Sequence, residues 1–363
     1  MYTFNEIKRI HLELSTNCQA KCPMCARNEH GGLENPILPI NDISIDFFKH
    51  IFTIPFLQQI ETVSICGNFG DELLNNDLPS ILEYITTSNP KVKLDLHTNG
   101  SLRSTTWWRD LVKVLPSDHC IHFGIDGLED THHIYRIGTD FNKIIRNAKT
   151  FIDAGGKAQW NFITFKHNEH QLDLARQMSK DLGFESFQEK QTSRFIGDPW
   201  FDVVDKTGNV IYKLENPSER KIVFIDKKTV ENFKQVISDA TIVCEVEDTK
   251  SVYLDGQGYL WPCCFVAGTR YFYTRPDKIA HGYRIHNTQM FNELVDKFGG
   301  IEQFNLRNNS LEDIVNSNTW QTLWDQSFTG EKLPVCARTC GKFETPILSQ
   351  CRDQFLDLEV FNE

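Results

Sequence analysis

The sequence predicts an α/β fold: a partial (β/α)6 TIM-like barrel over residues 1–190, a connector over 191–240, and a cysteine-rich α+β unit over 241–363. Short β-type runs alternate with amphipathic stretches six times before residue 190. Parallel strands need such crossovers, and six units fall short of the eight that close a full barrel. After residue 240 the alternation stops and cysteines cluster instead.

The strand candidates are "IKRIHLEL" (7–14), "TVSIC" (62–66), "VKLDLH" (92–97), "CIHFGID" (120–126), "AQWNFITF" (158–165) and "FESFQEK" (184–190). The clearest helix is "FNKIIRNAKTFIDAGG". Phe141, Ile144, Ile145, Ala148, Phe151 and Ile152 share one face there, and Gly155–Gly156 stops it. In 191–240 the turn residues Thr207–Gly208 and Asn216–Pro217 predict a hairpin-rich connector. "SVYLDGQGYLWPCC" reads as strand, turn, strand with "DGQG" at the tip, and Asp255 belongs to that turn.

Composition narrows the function. Lys plus Arg number 38 against 49 Asp plus Glu, a net charge of −11, which argues against a broad nucleic-acid footprint. No apolar run is long enough to span a bilayer, and the N-terminus has no basic-then-apolar leader, so a cytoplasmic protein without a membrane role is expected. The 11 cysteines are odd in number and closely spaced, which suits thiolates held for metal better than a disulfide framework.

"NCQAKCPMCAR" places Cys18, Cys22 and Cys25 on a loop just after the first strand. A structural zinc site wants four closed ligands, and a ferredoxin run has a different spacing with a fourth cysteine. Three thiolates on a four-iron cluster leave one iron open to a substrate or cofactor. A zinc site, or unrelated thiols, is the plainer alternative.

This C-x3-C-x2-C loop after the first of six β/α units resembles the radical S-adenosylmethionine (radical SAM) superfamily. The resemblance implies a 4Fe-4S cluster on Cys18, Cys22 and Cys25. Its open iron chelates S-adenosylmethionine, and reductive cleavage yields a 5′-deoxyadenosyl radical that abstracts hydrogen from substrate. Three more stretches resemble family motifs in barrel order. "CGNFGDELLNN" matches the Gly-Gly-Glu-Pro motif that binds the methionine amino group, through Gly67, Asn68, Gly70 and Asp71. "HTNGS" matches a Thr-Asn-Gly stretch and brings in Asn99. "GIDG" followed by "HHIYR" implies Asp126 for a ribose hydroxyl and Arg136 for a carboxylate. Met24 stands where the family usually has an aromatic residue and is expected against adenine. Asp71–Glu72 stands where Glu-Pro is common.

Cys244, then thirteen residues to Gly258, then G-x4-C to Cys263, with Cys336-x3-Cys340 later, resembles the SPASM/twitch extension of that superfamily. The extension holds auxiliary iron–sulfur clusters. Two would need about eight ligands, so one auxiliary 4Fe-4S cluster is expected. The resemblance implies Cys244, Cys263, Cys336 and Cys340 as its ligands, with Cys351 or Cys264 as an exchange and a zinc ribbon as the alternative. Cys264 stands where some peptide-oxidising members carry an acid that takes a substrate proton; a thiol there is a weak acid/base, a hydrogen donor or packing. Cys66 and Cys120 read as buried thiols, His132–His133 and His167…His170 as surface or pocket residues, and Trp320, Trp324, Phe291 and Tyr283 as substrate-pocket walls.

The expected function is hydrogen abstraction leading to an oxidation or a crosslink, with a flavodoxin- or ferredoxin-type reductant. The first strand begins at about residue 7, leaving no room for the leader-binding domain of many peptide-modifying members, so a peptide and a small molecule stay equally open as substrates. The rival is a non-catalytic iron–sulfur or zinc protein for electron transfer or scaffolding.

Overall fold

The structure, a computed structural model, describes residues 1–192, 194–195, 198–219, 237–271, 282–329, 332–342 and 355–361. Six parallel strands lie side by side in chain order: β1 (Arg9–Leu12), β2 (Thr62–Ile65), β3 (Lys93–Thr98), β4 (His119–Gly124), β5 (Ala158–Ile163) and β6 (Ser186–Lys190). The crossovers carry helices α1 (Ile45–Ile51), α2 (Leu78–Ser88), α3 (Thr105–Leu111), α4 (Phe141–Asp153) and α5 (Leu172–Leu182). The expected partial barrel is therefore present. The chain leaves β6 into an antiparallel hairpin, β7 (Trp200–Val204) and β8 (Val210–Glu215), turning through Asp205–Gly208.

Helix faces follow the 3.6-residue pattern. In α4, Asp140 caps the N-terminus by accepting the Lys143 N–H, and Ile144, Ala148 and Phe151 are buried. Asn147 is buried on the same face because its amide donates to the Gly100 and Leu102 carbonyls, tying the helix to the turn after β3. Trp108 on α3 packs on Phe123 and Phe151, so the apolar strand positions point outward into the helical layer.

The alternate strand positions differ in kind. Arg9, His11, Cys66, Asp95, His97, Cys120, His122, Gln159 and Lys190 point to the opposite face and are only half-buried. This face lines a bore. Lys190 at the end of β6 and Cys66 just after β2 are near enough to shift each other's ionisation, although three strands separate β2 from β6. Cys66 and Cys120 are thus bore residues rather than the buried thiols expected from sequence, because strand alternation turns them inward.

The C-terminal segment adds strands to the barrel sheet and also pairs Thr241–Ile242 with Gly341–Lys342 in a small antiparallel sheet of its own. Strand β9 (Ser251–Leu254) pairs in parallel with β1 and carries the short β10 (Leu260–Trp261), while β11 (Phe355–Val360) pairs antiparallel with β6. The central sheet has nine strands in the order β10-β9-β1-β2-β3-β4-β5-β6-β11. Trp320 and Phe291, expected as pocket walls, are buried in an aromatic core with Trp261 and Phe304, whereas Trp324 belongs to that core and also lines a cavity. The Tyr283 side chain and Cys351 lie outside the described residues. Among the described residues no helix is long and apolar enough to cross a membrane.

Candidate active site

The loop after β1 folds back on itself. The Cys25 N–H donates to the Cys22 carbonyl at 3.0 Å and the Asn28 N–H to the Cys25 carbonyl at 2.9 Å. These turns bring Cys18, Cys22 and Cys25 together, and each of Cys18 and Cys22 feels the charge of its neighbours. Burial is the largest influence on both thiols. It pushes Cys22 up to about 11 against the pull of Arg136, and Cys18 higher still.

Two N–H donors stand beside these sulfurs, and the Cys18 thiol itself reaches the Gln19 side-chain oxygen at 3.9 Å. Asn99 Nδ2 lies 3.8 Å from Cys18 Sγ, and Arg136 Nη1 lies 3.9 Å from Cys22 Sγ. Asn99 is held in turn by Gln19 Nε2, which donates to its Oδ1 at 2.8 Å. Asp71 is buried and gathers the Thr98 hydroxyl (2.9 Å), the Asn99 N–H (2.8 Å) and the Leu73 N–H (3.1 Å). It thereby links the turn after β2 to the turn after β3.

Gly67, Asn68 and Gly70 form the turn after β2. A Cβ on Gly70 would run into the Ser15 carbonyl, so the close approach of this turn to the cysteine loop requires glycine. The Asn68 side chain points away from the three cysteines and donates to the Cys264 carbonyl at 2.7 Å. Met24 is buried among Ala20, Cys22, Tyr135 and Phe165.

Asp126 follows β4 and is fully buried. Its Oδ2 accepts from Arg136 Nε at 2.6 Å and its Oδ1 from the Ile163 N–H at 2.6 Å. Both oxygens therefore have protein partners, and the carboxylate aims Arg136 at Cys22. His132 buttresses this pair: its Nδ1 accepts the Asp126 N–H at 3.3 Å and its Nε2 lies 2.9 Å from Thr139 Oγ1. His132 is a buried structural residue, not the surface or pocket group expected.

Burial, helped by the Arg136 charge, holds the His132 imidazole down to about 3, so it stays neutral in the fold while the unfolded chain protonates near pH 6.5. The stability this supplies is complete above pH 6.5 and is lost as pH falls toward 3, because unfolding then takes up a proton. A urea-midpoint profile against pH should accordingly be flatter between pH 6.5 and 4 in His132→Gln than in the wild type.

A second group of thiols sits beside β9. Cys244 precedes α6 (Glu245–Thr249), and Cys263 precedes α7 (Cys264–Thr269). Cys336 and Cys340 lie four residues apart on one face of α8 (Pro334–Cys340). All four line a cavity of about 160 Å³. Burial raises Cys244 to about 11 and Cys263 to about 12, and the nearby thiolate charges push them further. Cys336 is raised as well, again chiefly by burial and then by Cys263, Cys244 and Cys340. Thiols that resist deprotonation in one another's company fit a strongly cationic group that would hold them as thiolates.

Cys264 opens toward the barrel, with Cys263, Cys66 and Glu13 as its electrostatic neighbours. Asp255 accepts the Gln257 and Tyr259 N–H groups and the Trp261 indole, as a turn residue should. Among the described residues no three Cys, His, Asp or Glu side chains converge on the spacing of a single metal ion.

Sequence reading missed the bore. His97 stacks on His122 with ring centroids 4.2 Å apart, and His122 Nε2 lies 3.5 Å from Asp95 Oδ1. His122 Nδ1 is buried without a partner. The alternation in "VKLDLH" and "CIHFGID" was the available signal, since it puts Asp95 and His97, then Cys120 and His122, on one face.

No family model and no curated protein matches the chain. Solved structures do. SuiB of Streptococcus suis bound to S-adenosylmethionine is 13% identical, with a TM-score of 0.53 over 96% of this chain and 77% of that one. Native anSMEcpe with bound AdoMet is 13% identical, with a TM-score of 0.52 over 94% of this chain and 92% of that one. The likeness is one of fold, spanning both the barrel and the segment that carries the second cysteine group.

Proposed function

We propose that the chain is a radical S-adenosylmethionine enzyme of the SPASM/twitch type. The observation that carries this reading is the set of three thiols at the end of β1, flanked by N–H donors rather than a fourth ligand, in a fold similar to that of two S-adenosylmethionine-bound proteins.

Cys18, Cys22 and Cys25 would hold a 4Fe-4S cluster, and that cluster would supply the electron that cleaves S-adenosylmethionine. Asn99 and Arg136 donate toward the Cys18 and Cys22 sulfurs, which favours the thiolate form. The Gly67–Asp71 turn, braced by Asp71 on Thr98 and Asn99, is the surface offered to the methionine end of the cofactor. Cys244, Cys263, Cys336 and Cys340 would hold one auxiliary cluster.

The substrate enters the bore. Its inward groups are imidazoles, an amide, a carboxylate, an arginine, a lysine and thiols, so the reacting group is polar and hydrogen-bonding. A peptide side chain fits this description, and similar solved structures include SuiB bound to precursor peptide SuiA and anSMEcpe with a Cp18Cys peptide. A polar small molecule fits the same chemistry.

The test is 5′-deoxyadenosine formation from S-adenosylmethionine by anaerobically iron-loaded, dithionite-reduced protein. Formation that depends on loaded protein supports the reading. No cleavage under any low-potential reductant, with zinc in the purified protein, leaves a structural metalloprotein.

A further inference from the structure

Two buried glutamates lie between the S-adenosylmethionine turn and the four-cysteine segment. Glu13, just past β1, has both carboxylate oxygens engaged. The Phe69 N–H donates to Oε1 at 2.7 Å and the Tyr253 hydroxyl to Oε2 at 2.9 Å, and the Gly256 N–H lies near enough to favour the charged carboxylate. Phe69 belongs to the Gly67–Asp71 turn, whereas Tyr253 and Gly256 belong to the β9 hairpin whose other end leads to Cys263. Glu72 is fully buried. The Leu14 N–H donates to its Oε2 at 2.7 Å and the Ser15 N–H lies near enough to favour its charged form, while its Oε1 has no partner among the described residues.

The partnerless oxygen and Glu13 share the space beside Gly67. Glu72 Oε1 and Glu13 Oε1 lie 3.0 and 3.1 Å from the point where a Cβ on Gly67 would stand. Burial raises both carboxyls above the usual carboxylate range, and the Glu13 charge beside Gly67 adds to the rise at Glu72, so one of the two carries a proton. Glu13 already receives a donor on each oxygen. The proton therefore belongs on Glu72 Oε1, which receives no donor from the described residues.

We propose that this Glu13–Glu72 carboxylate–carboxyl pair is a positioning device that clamps the Gly67–Asp71 turn to the auxiliary hairpin, so that S-adenosylmethionine binding and metal loading at Cys244, Cys263, Cys336 and Cys340 are energetically coupled. The inference rests on the function proposed above. Asn68 reinforces the clamp from the other side through its bond to the Cys264 carbonyl, one residue from Cys263. Coupling between two sites needs an element that both contact, and by linkage it acts in both directions.

The pair makes an asymmetric prediction. Glu72→Gln keeps an acceptor for Leu14 and Ser15 and puts an NH2 where the proton sat. Glu13→Gln must turn an NH2 onto one of the incoming donors. The experiment is equilibrium dialysis of S-adenosylmethionine against anaerobic, iron-loaded full-length protein, with iron content and thermal midpoint recorded for each variant. Glu72→Gln should bind within about threefold of wild type, and Glu13→Gln about tenfold more weakly. Cys336→Ser, which removes the auxiliary site, should weaken binding by about tenfold in the wild type and add nothing in Glu13→Gln, a double-mutant cycle that a purely structural role does not close. Should Glu13→Gln fail to fold, Tyr253→Phe, which deletes one donor to Glu13, takes its place in the cycle.

Additive effects in the cycle, equal losses in Glu13→Gln and Glu72→Gln, or wild-type affinity in Glu13→Gln overturn the coupling and leave the enzyme reading standing. A wild-type protein that binds no S-adenosylmethionine overturns both.

Discussion

Cys22→Ala is expected to abolish cleavage of S-adenosylmethionine and to remove about half of the roughly eight irons per loaded chain. Cys22 is the most enclosed of the three loop thiols, with 7% exposure, and its sulfur is the one that Arg136 addresses. Two remaining thiolates would hold a four-iron cluster poorly, whereas the second group of four cysteines is untouched. The substitution deletes one buried sulfur and keeps the backbone bonds of the loop, so the fold should survive. Iron and sulfide analysis beside a 5′-deoxyadenosine assay reads both effects. Full iron content with normal cleavage in this variant would remove Cys22 from the site.

Arg136→Ala should destabilise the fold by about 3 kcal/mol, the cost of stranding a buried carboxylate by removing its partner. Asp126 is 0% exposed, and its Oδ2 loses the guanidinium that now lies 2.6 Å away. The Arg136 side chain is 20% exposed, which admits water and places the effect at the lower end of the range for buried pairs. Urea unfolding of the metal-free protein measures it. Arg136→Lys should recover only part of the loss, because an ammonium cannot reach both Asp126 and Cys22 as a planar guanidinium does. A change below about 1 kcal/mol would mean that Asp126 finds another donor.

Much of the barrel was legible because each strand carries its own local pattern. "TVSIC" runs one residue past its observed strand and "VKLDLH" is offset from its own by one residue, within the fraying of any strand boundary. The cysteine loop and the paired cysteines of α8 were legible for the same reason, since short spacing constrains geometry directly. The pairing of β9 with β1 was not, because it joins Arg9 to Ser251 across most of the chain and leaves no local trace. The same distance hid the Glu13 clamp, whose partners Phe69, Tyr253 and Gly256 meet only after that pairing forms. Glu13 and Glu72 each look like ordinary acids in sequence, and only burial opposite one another gives them a shared role. Cys66 and Cys120 were assigned to the interior because cysteines usually pack there, although alternation had already placed them with His97 and His122.

The central claim is that the three-thiol site holds a cluster with an iron open to S-adenosylmethionine. Electron paramagnetic resonance of the reduced, iron-loaded protein, recorded before and after adding S-adenosylmethionine, tests it most directly. The account predicts a reduced-cluster signal that changes on addition of the cofactor in the wild type and is missing from Cys22→Ala. A spectrum unmoved by S-adenosylmethionine, or a signal that Cys22→Ala retains in full, would contradict it.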